Sequence, residues 1–527
     1  MAPMRGPAAA EEEEEDFEEE NSTCCPGCCD GEMSVEGTVS GMSRLAIILC
    51  FPTPQTSCCS LISWIVGCAN FSAQYNYNSI TLAILMLERA GKDVPTWATS
   101  SLTSVIFLGS VFGQLCLGFL GDAVGRGVGL ALTLVLIIGG AFLSSAAWDY
   151  ETEPSTSVYA SIILARFVLG VGVGGVYPLS ATAAFEDTRE GESAHERARG
   201  VVRAAWGLFW QMPGQAAVYV VALVLVGTDS LTWTIRARLL LLSGAVPAAF
   251  ALPAALTAAL GRDAPRLDDR GRTRAKSGVA TAQPRRDRPP PGDRKAASNA
   301  AEERRALFAQ ASTQRALLGC CGCWMFFDVY SYGVSVYSPV ILEWIFGDSE
   351  ALSLDCWENL LCSVVGFPAV ALTIYALQHA YGGDVARVQT LGFTAAAGSF
   401  VFLSVAWLLG APKVALFVLY VLLRAVIVFG VAVTTFVMPA VLFPRRIRST
   451  CNGAAAATGK LGALVGTYAA MPIADVSTVA LFLGFGLVAL AGGALTSALL
   501  QPDFDKRDGE ADRPRDEATG LLRGGAV

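Results

Sequence analysis

Histidine is almost missing from this chain, with two in 527 residues. Without an HExxH-like cluster, a histidine-built metal site is excluded, and no metal or cofactor is expected. No motif for hydrolytic or redox chemistry is present, so an enzyme is not expected either. Charge is scarce as well. Asp, Glu, Lys and Arg make up 16% of the residues against 53% hydrophobic ones, and the mean hydropathy is +0.47. That balance excludes an ordinary soluble protein, because the apolar runs repeatedly reach the ~20 residues that a bilayer demands. The composition is that of an all-α polytopic membrane protein. The first forty residues are polar and acidic and hold no cleavable signal peptide, so the first span is expected to do the targeting. The net charge of -8 comes largely from the run Glu11 to Glu20, and no nucleic-acid partner is expected.

Fifteen cysteines are present, but most sit in apolar segments as small hydrophobes, among them Cys68, Cys116, Cys320, Cys321, Cys323 and Cys362. A disulfide framework is not implied. Four more, Cys24, Cys25, Cys28 and Cys29, form CCPGCC in the acidic tail. Four thiols around a Pro-Gly turn could clasp a soft metal ion or accept acyl chains, but they are spaced too tightly for the usual zinc CxxC pairs, and a solvated tail is the reading preferred for them.

Apolar windows fall at 59–86, 98–121, 127–148, 157–181, 203–227, 238–260, 316–341, 357–379, 388–410, 413–440, 453–474 and 478–500. Twelve spans are therefore expected. They divide six and six about a polar insert at 261–315, which carries 14 basic and 7 acidic residues with several prolines. The expected organisation is an acidic tail over 1–42, a six-helix bundle over 43–260, a disordered basic linker over 261–315, a second six-helix bundle over 316–501 and a tail over 502–527. The basic excess of the insert, with Arg197, Arg199, Arg203, Arg445, Arg446 and Arg448, assigns these loops and both termini to the cytoplasm. The final tail contains EATGLL, with Leu521 and Leu522 at dileucine-signal spacing.

The stretch GCWMFFDVYSYG carries a carboxylate into a spanning segment. Trp324, Asp328 and Tyr332 recur every fourth residue, so one helix face presents an indole, an acid and a phenol about 6 Å apart in rise. A carboxylate at membrane depth is costly and rarely faces lipid, so it marks a substrate or proton pathway; a bond to a neighbouring helix is the alternative. Lys460, a lone ammonium in the eleventh window, carries the same cost unless it meets an anion, a carboxylate or water.

Between the second and third windows stands GQLCLGFLGDAVGRG, with Gly118, Asp122, Gly125 and Arg126 in a G-x-x-x-D-x-x-G-R pattern. Its glycines permit close approach and a tight turn, and its charged pair can lock one helix end to a neighbour in one conformation and release it in another. The pattern resembles the loop that identifies the major facilitator superfamily. In the fourth window, GVGGVYPLSATAAFE is similar to the GGDYPLSATIxSE motif of the proton-coupled inorganic phosphate symporters in that superfamily. Trp324, Asp328 and Tyr332 fit that family's W-x-x-x-D-x-x-x-Y helix. VTTFVMPAVLFPRRIRSTCNGAAAATGKLGALVG follows its TTFxxPAEVFPxRxRSTxxGxxAAxGKxGA.

The resemblance implies the major facilitator fold, and a site built from Tyr177, Gln211, Trp324, Asp328, Tyr332 and Lys460. Gln211 fills the family's glutamine position one residue late when counted from Arg199 and Gly200. Four positions depart from the family: Val176 for an aspartate, Ala432 for an asparagine, Asn78 for an aspartate and Val441 for a glutamate. The expected partners are phosphate or a related anion, protons and the lipid bilayer of a plasma membrane or endomembrane. An ionised Asp328 would repel an anion at 4 Å by about 1 to 4 kcal/mol, depending on the dielectric. Protonating it removes that repulsion, so anion and proton load together, with Lys460 as a distant counter-charge. Another organic or inorganic anion, or a sugar-like solute, on the same scaffold is the first alternative. A non-transporting nutrient receptor is the second.

Overall fold

The computed structural model describes residues 58–91, 94–146, 156–186, 194–260, 294–347 and 352–501. The CCPGCC run, the acidic tail and the Leu521–Leu522 pair lie outside the described residues. Every regular element described is helical. In the first part of the chain these are α1 (Cys58–Arg89), α2 (Thr96–Ala123), α3 (Arg126–Ala146), α4 (Thr156–Glu186), α5 (Ala194–Phe209), α6 (Gln211–Val226), α7 (Trp233–Ser243) and α8 (Val246–Leu260). After the insert come α9 (Arg294–Ala309), α10 (Ala311–Val336), α11 (Ser338–Phe346), α12 (Leu352–Val364), α13 (Gly366–Tyr375) and α14 (Val385–Leu408). The chain then continues through α15 (Lys413–Val428), α16 (Val431–Leu442), α17 (Arg448–Val476) and α18 (Thr478–Leu495).

Several of these run on as single rods with a local break. Among the described residues, ten helical stretches are long and apolar enough to cross a membrane: 97–123, 126–146, 157–186, 196–226, 233–260, 311–335, 352–380, 385–408, 413–442 and 478–500. Large apolar side chains stand exposed along them, such as Phe250, Leu164, Phe402 and Leu487. In water such a surface would aggregate; in a bilayer it is solvated, and the protein is an integral multi-pass membrane protein. Two further windows, 59–86 and 453–474, lie in α1 and α17, which have the length but not the apolarity. Their inward faces explain the deficit. Asn70, Ser72, Asn76 and Ser79 of α1, and Asn452 and Lys460 of α17, are buried.

Breaks fall where the chain has local reasons for them. Gly430 takes a left-handed φ of 72° between α15 and α16, and a Cβ there would lie 2.9 Å from the Gly392 Cα. Its backbone N–H is then turned toward the hydroxyl of Thr373, 2.8 Å away. Asp384 opens α14 by accepting from the Arg387 N–H at 3.0 Å. Across the two parts of the chain, α2 and α17 approach at backbone distance. A Cβ on Gly453 would lie 2.1 Å from the Gln114 carbonyl oxygen, and one on Gly118 would lie 2.7 Å from that of Ser449.

The stretch read as a disordered linker is helical in its second part, α9. Alternation of Ala with Lys, Arg and Glu there gives high helix propensity, which prevails over the low apolar content. The helix is also held from outside: Arg304 donates to the Asp122 carbonyl at 2.9 Å and lies over the Phe119 ring, while Glu303 pairs with Arg446.

Candidate functional site

On α10 the four-residue spacing brings Trp324, Asp328 and Tyr332 to one face, and that face meets Lys460 of α17. The ammonium lies 3.0 Å from Asp328 Oδ2 and donates to Tyr332 Oη at 2.7 Å. Asp328 and Lys460 are each 1% exposed. Lys460 is thus a contact partner of Asp328 rather than a distant counter-charge. Two buried charges each bear a large desolvation cost, which falls steeply only when they meet directly. Trp324 stands one helical turn before Asp328 on the same face of α10.

Aromatic rings from both parts of the chain enclose the ammonium. It lies 4.2 Å from the centroid of Tyr332, 5.2 Å from that of Tyr177 on α4 and 5.4 Å from that of Tyr77 on α1. Tyr177 packs edge-on to Trp324 at 6.1 Å and to Phe436 of α16 at 6.3 Å. Tyr77 stacks on Phe107 of α2 at 5.3 Å, and Phe107 meets Tyr332 edge-on at 5.3 Å. The Tyr77 hydroxyl donates to Ser110 Oγ at 2.7 Å. The acid therefore faces neither lipid nor a closed corner of one helix pair. It lies where α1, α2, α4, α10 and α17 converge.

Gln211 is not in that cluster. It donates to Asn70 Oδ1 at 2.8 Å, and Asn70 donates to Ser180 Oγ at 3.1 Å. Ser180 is three residues beyond Tyr177 on α4, so this polar chain runs about one turn away from the charged pair. Val176, beside Tyr177, is fully buried in the apolar core.

The glycine-rich loop builds a second charged centre. Gly125 takes a φ of 117°, and Arg126 beyond it pairs with Asp122 at 2.9 Å and with Glu186 at 2.9 Å. Glu186 also pairs with Arg448 at 2.9 Å and with Arg445 at 3.5 Å. Asp122 accepts from the backbone N–H groups of Ser449 at 3.2 Å and Thr450 at 2.7 Å, and from the Thr450 hydroxyl at 2.7 Å. Those groups open α17, so a carboxylate from the first part of the chain caps a helix of the second. Gly118 allows the approach.

Tyr77, Asn70, Ser180 and Glu186 were not among the expected site residues. Asn70 and Tyr77 are seven apart, hence on one face of α1, which was the available signal. Ser180 and Glu186 stand within the YPLSATAAFE stretch itself.

A bundle of long apolar helices with a buried ion pair where its two parts meet, and an interlocked charge cluster at one end, defines a membrane transporter. Comparison with known proteins gives its family. The model of the family described as "Sugar (and other) transporter" matches residues 55–500. Inorganic phosphate transporter PT2 of Toxoplasma gondii is 31% identical over 449 residues, spanning 84% of this chain and 72% of that protein. Inorganic phosphate transporter 1-4 of Arabidopsis thaliana is 27% identical over 458 residues, spanning 78% of this chain and 82% of that one. Among solved structures, the major facilitator proton:xylose symporter XylE bound to 6-bromo-6-deoxy-D-glucose superposes with a TM-score of 0.61 at 17% identity, over 83% of this chain and 94% of that one. The chain belongs to the sugar (and other) transporter family and, within it, groups with the inorganic phosphate transporters; its fold is that of the major facilitator symporter XylE. It is a membrane transporter rather than an enzyme.

Proposed function

We propose that this protein moves inorganic phosphate across its membrane together with a proton, using Asp328 as the proton carrier. The observation that carries this reading is the Asp328–Lys460 pair, buried and ringed by Tyr77, Tyr177, Trp324 and Tyr332. With both groups charged the empty site is electrically neutral. A monovalent phosphate entering it would leave one net negative charge in a low-dielectric region, which is costly. Protonation of Asp328 as the anion arrives restores neutrality and releases Lys460 to bind the anion. Tyr177, Tyr332 and the Trp324 indole then offer neutral donors. Gln211 joins through Asn70.

Twelve spans in two six-helix bundles accommodate this cycle, with α1 and α17 as the two polar-faced spans and both termini in the cytoplasm. Lys and Arg residues concentrate beside the Asp122–Glu186 centre, which by the positive-inside rule favours the cytoplasmic side for that end. The described conformation is closed there. Release inward requires Glu186 to leave Arg448 and Arg445, and Asp122 to leave the start of α17, as the bundles rock about the central site.

The test is reconstitution of the purified full chain with labelled phosphate, sulfate, a glycerophosphodiester and hexoses at two external pH values. Phosphate uptake that rises with an inward proton gradient is expected. Phosphate flux indifferent to that gradient would remove the coupling, and hexose flux in place of phosphate would assign another substrate. Ligand binding without flux would make the protein a receptor.

A further inference from the structure

Each part of the chain holds an arginine that meets no acid among the described residues, Arg166 wholly buried and Arg424 half-buried. Arg424 of α15 donates from Nη1 to Ser335 Oγ at 2.6 Å, and its buried Nε has no partner. Among the described residues no carboxylate pairs with it. Arg166 of α4 is wholly buried; its Nη2 donates to the Asn76 carbonyl at 3.1 Å, while Nε and Nη1 have no partner. Unused N–H donors on a buried cation carry a free-energy penalty that an anion would remove.

Position says when an anion would reach them. Ser335 lies seven residues beyond Asp328 on α10, two helical turns or about 10 Å along the same face. Arg166 lies eleven residues before Tyr177 on α4 and twenty before Glu186. Both arginines therefore stand on the side of the central pair away from the closed Asp122–Glu186 end. α15 packs on α12, and α12 packs on α6 of the first part of the chain, so Arg424 stands beside the seam between the two parts.

We infer that Arg424 is a specificity-determining anion subsite, which captures an inorganic oxyanion on its way to Lys460 through the free edge of its guanidinium, with Arg166 adding positive charge on the same side of the central pair. The inference rests on the anion-transport reading above and adds to it the residue that selects for negative charge at entry. A planar fork of N–H donors matches two oxygens of a tetrahedral oxyanion. A hexose has no charge to exploit there.

The experiment measures labelled phosphate uptake by the full chain in right-side-out vesicles. Arg424→Gln is expected to raise KM for external phosphate about tenfold or more while kcat stays within about twofold, the size expected for a lost charge-assisted contact made before the rate-limiting step. Arg424→Lys keeps the charge but loses the fork, and is expected to raise KM by less than Arg424→Gln does. An unaltered KM in Arg424→Gln overturns the inference while leaving phosphate transport standing. A wild-type protein that moves no oxyanion removes both. The wild-type chain supplies a measurement that needs no variant to fold: phenylglyoxal should modify Arg424, and external phosphate should slow that modification and the accompanying loss of uptake. Modification of Arg424 at a rate indifferent to phosphate overturns the inference equally.

Discussion

Asp328 and Lys460 illustrate why a buried ion pair is best judged by removing one member at a time. Lys460→Ala leaves an unpaired carboxylate in the bundle and should lower stability by about 3 to 5 kcal/mol, visible as a fall in Tm of the purified protein. Adding Asp328→Asn to that variant should restore a large part of the loss, because no charge is then left without a partner. A double variant no more stable than Lys460→Ala would show that the pair is not coupled. Asp328→Asn alone should abolish uptake driven by a pH gradient, since the amide cannot take up and release a proton. Undiminished proton-driven uptake in this variant would exclude Asp328 as the carrier. The identity of the acid could be read from GCWMFFDVYSYG, since a carboxylate inside an apolar window is visible in one dimension. Its direct contact with Lys460 could not, because 132 residues separate the two and only the packing of α10 on α17 sets their distance.

Helices α2 and α17 meet through glycine, and that contact decides how firmly one end of the molecule is shut. Gly453→Val would place a side chain where a single Cβ already meets the Gln114 carbonyl at 2.1 Å, so the two helices must part. Overpacking of this kind costs about 1 to 3 kcal/mol or more. The expected readout is faster labelling of single cysteines introduced near Ser449 by a membrane-impermeant thiol reagent applied from the Asp122 side. Labelling no faster than in the unsubstituted protein would mean that this contact does not hold the end closed. Glu186→Gln should act in the same direction with a smaller effect, since it weakens the ion pairs to Arg126, Arg448 and Arg445 but leaves the Asp122 cap on α17. The glycines and charges of this loop were legible in sequence as a lock. Glu186 as its hub was not, because three of its cationic contacts come from positions between 60 and 262 residues away.

At the scale of the whole molecule, the neutral empty site and the neutral loaded site predict an electrically silent cycle. With phosphate monovalent, acidifying the outside should increase uptake, while a potassium diffusion potential set with valinomycin should leave the rate nearly unchanged. A strong dependence on that potential would mean that more than one proton accompanies each anion. The sequence by itself determined the class of protein: apolar windows near 20 residues admit only spanning helices, and a lone acid among them has few uses other than transport. It also marked the residue types at the centre, because charge in such windows is rare enough to stand out. Tertiary structure alone decided which of those residues touch. Tyr77 joined Lys460 while Gln211 turned away to Asn70, and Arg424 met Ser335 but no acid among the described residues. Helical periodicity tells which face a side chain occupies, but the rotation and depth at which one helix meets another depend on packing along their whole length, and that packing sets every distance on which the charge balance relies.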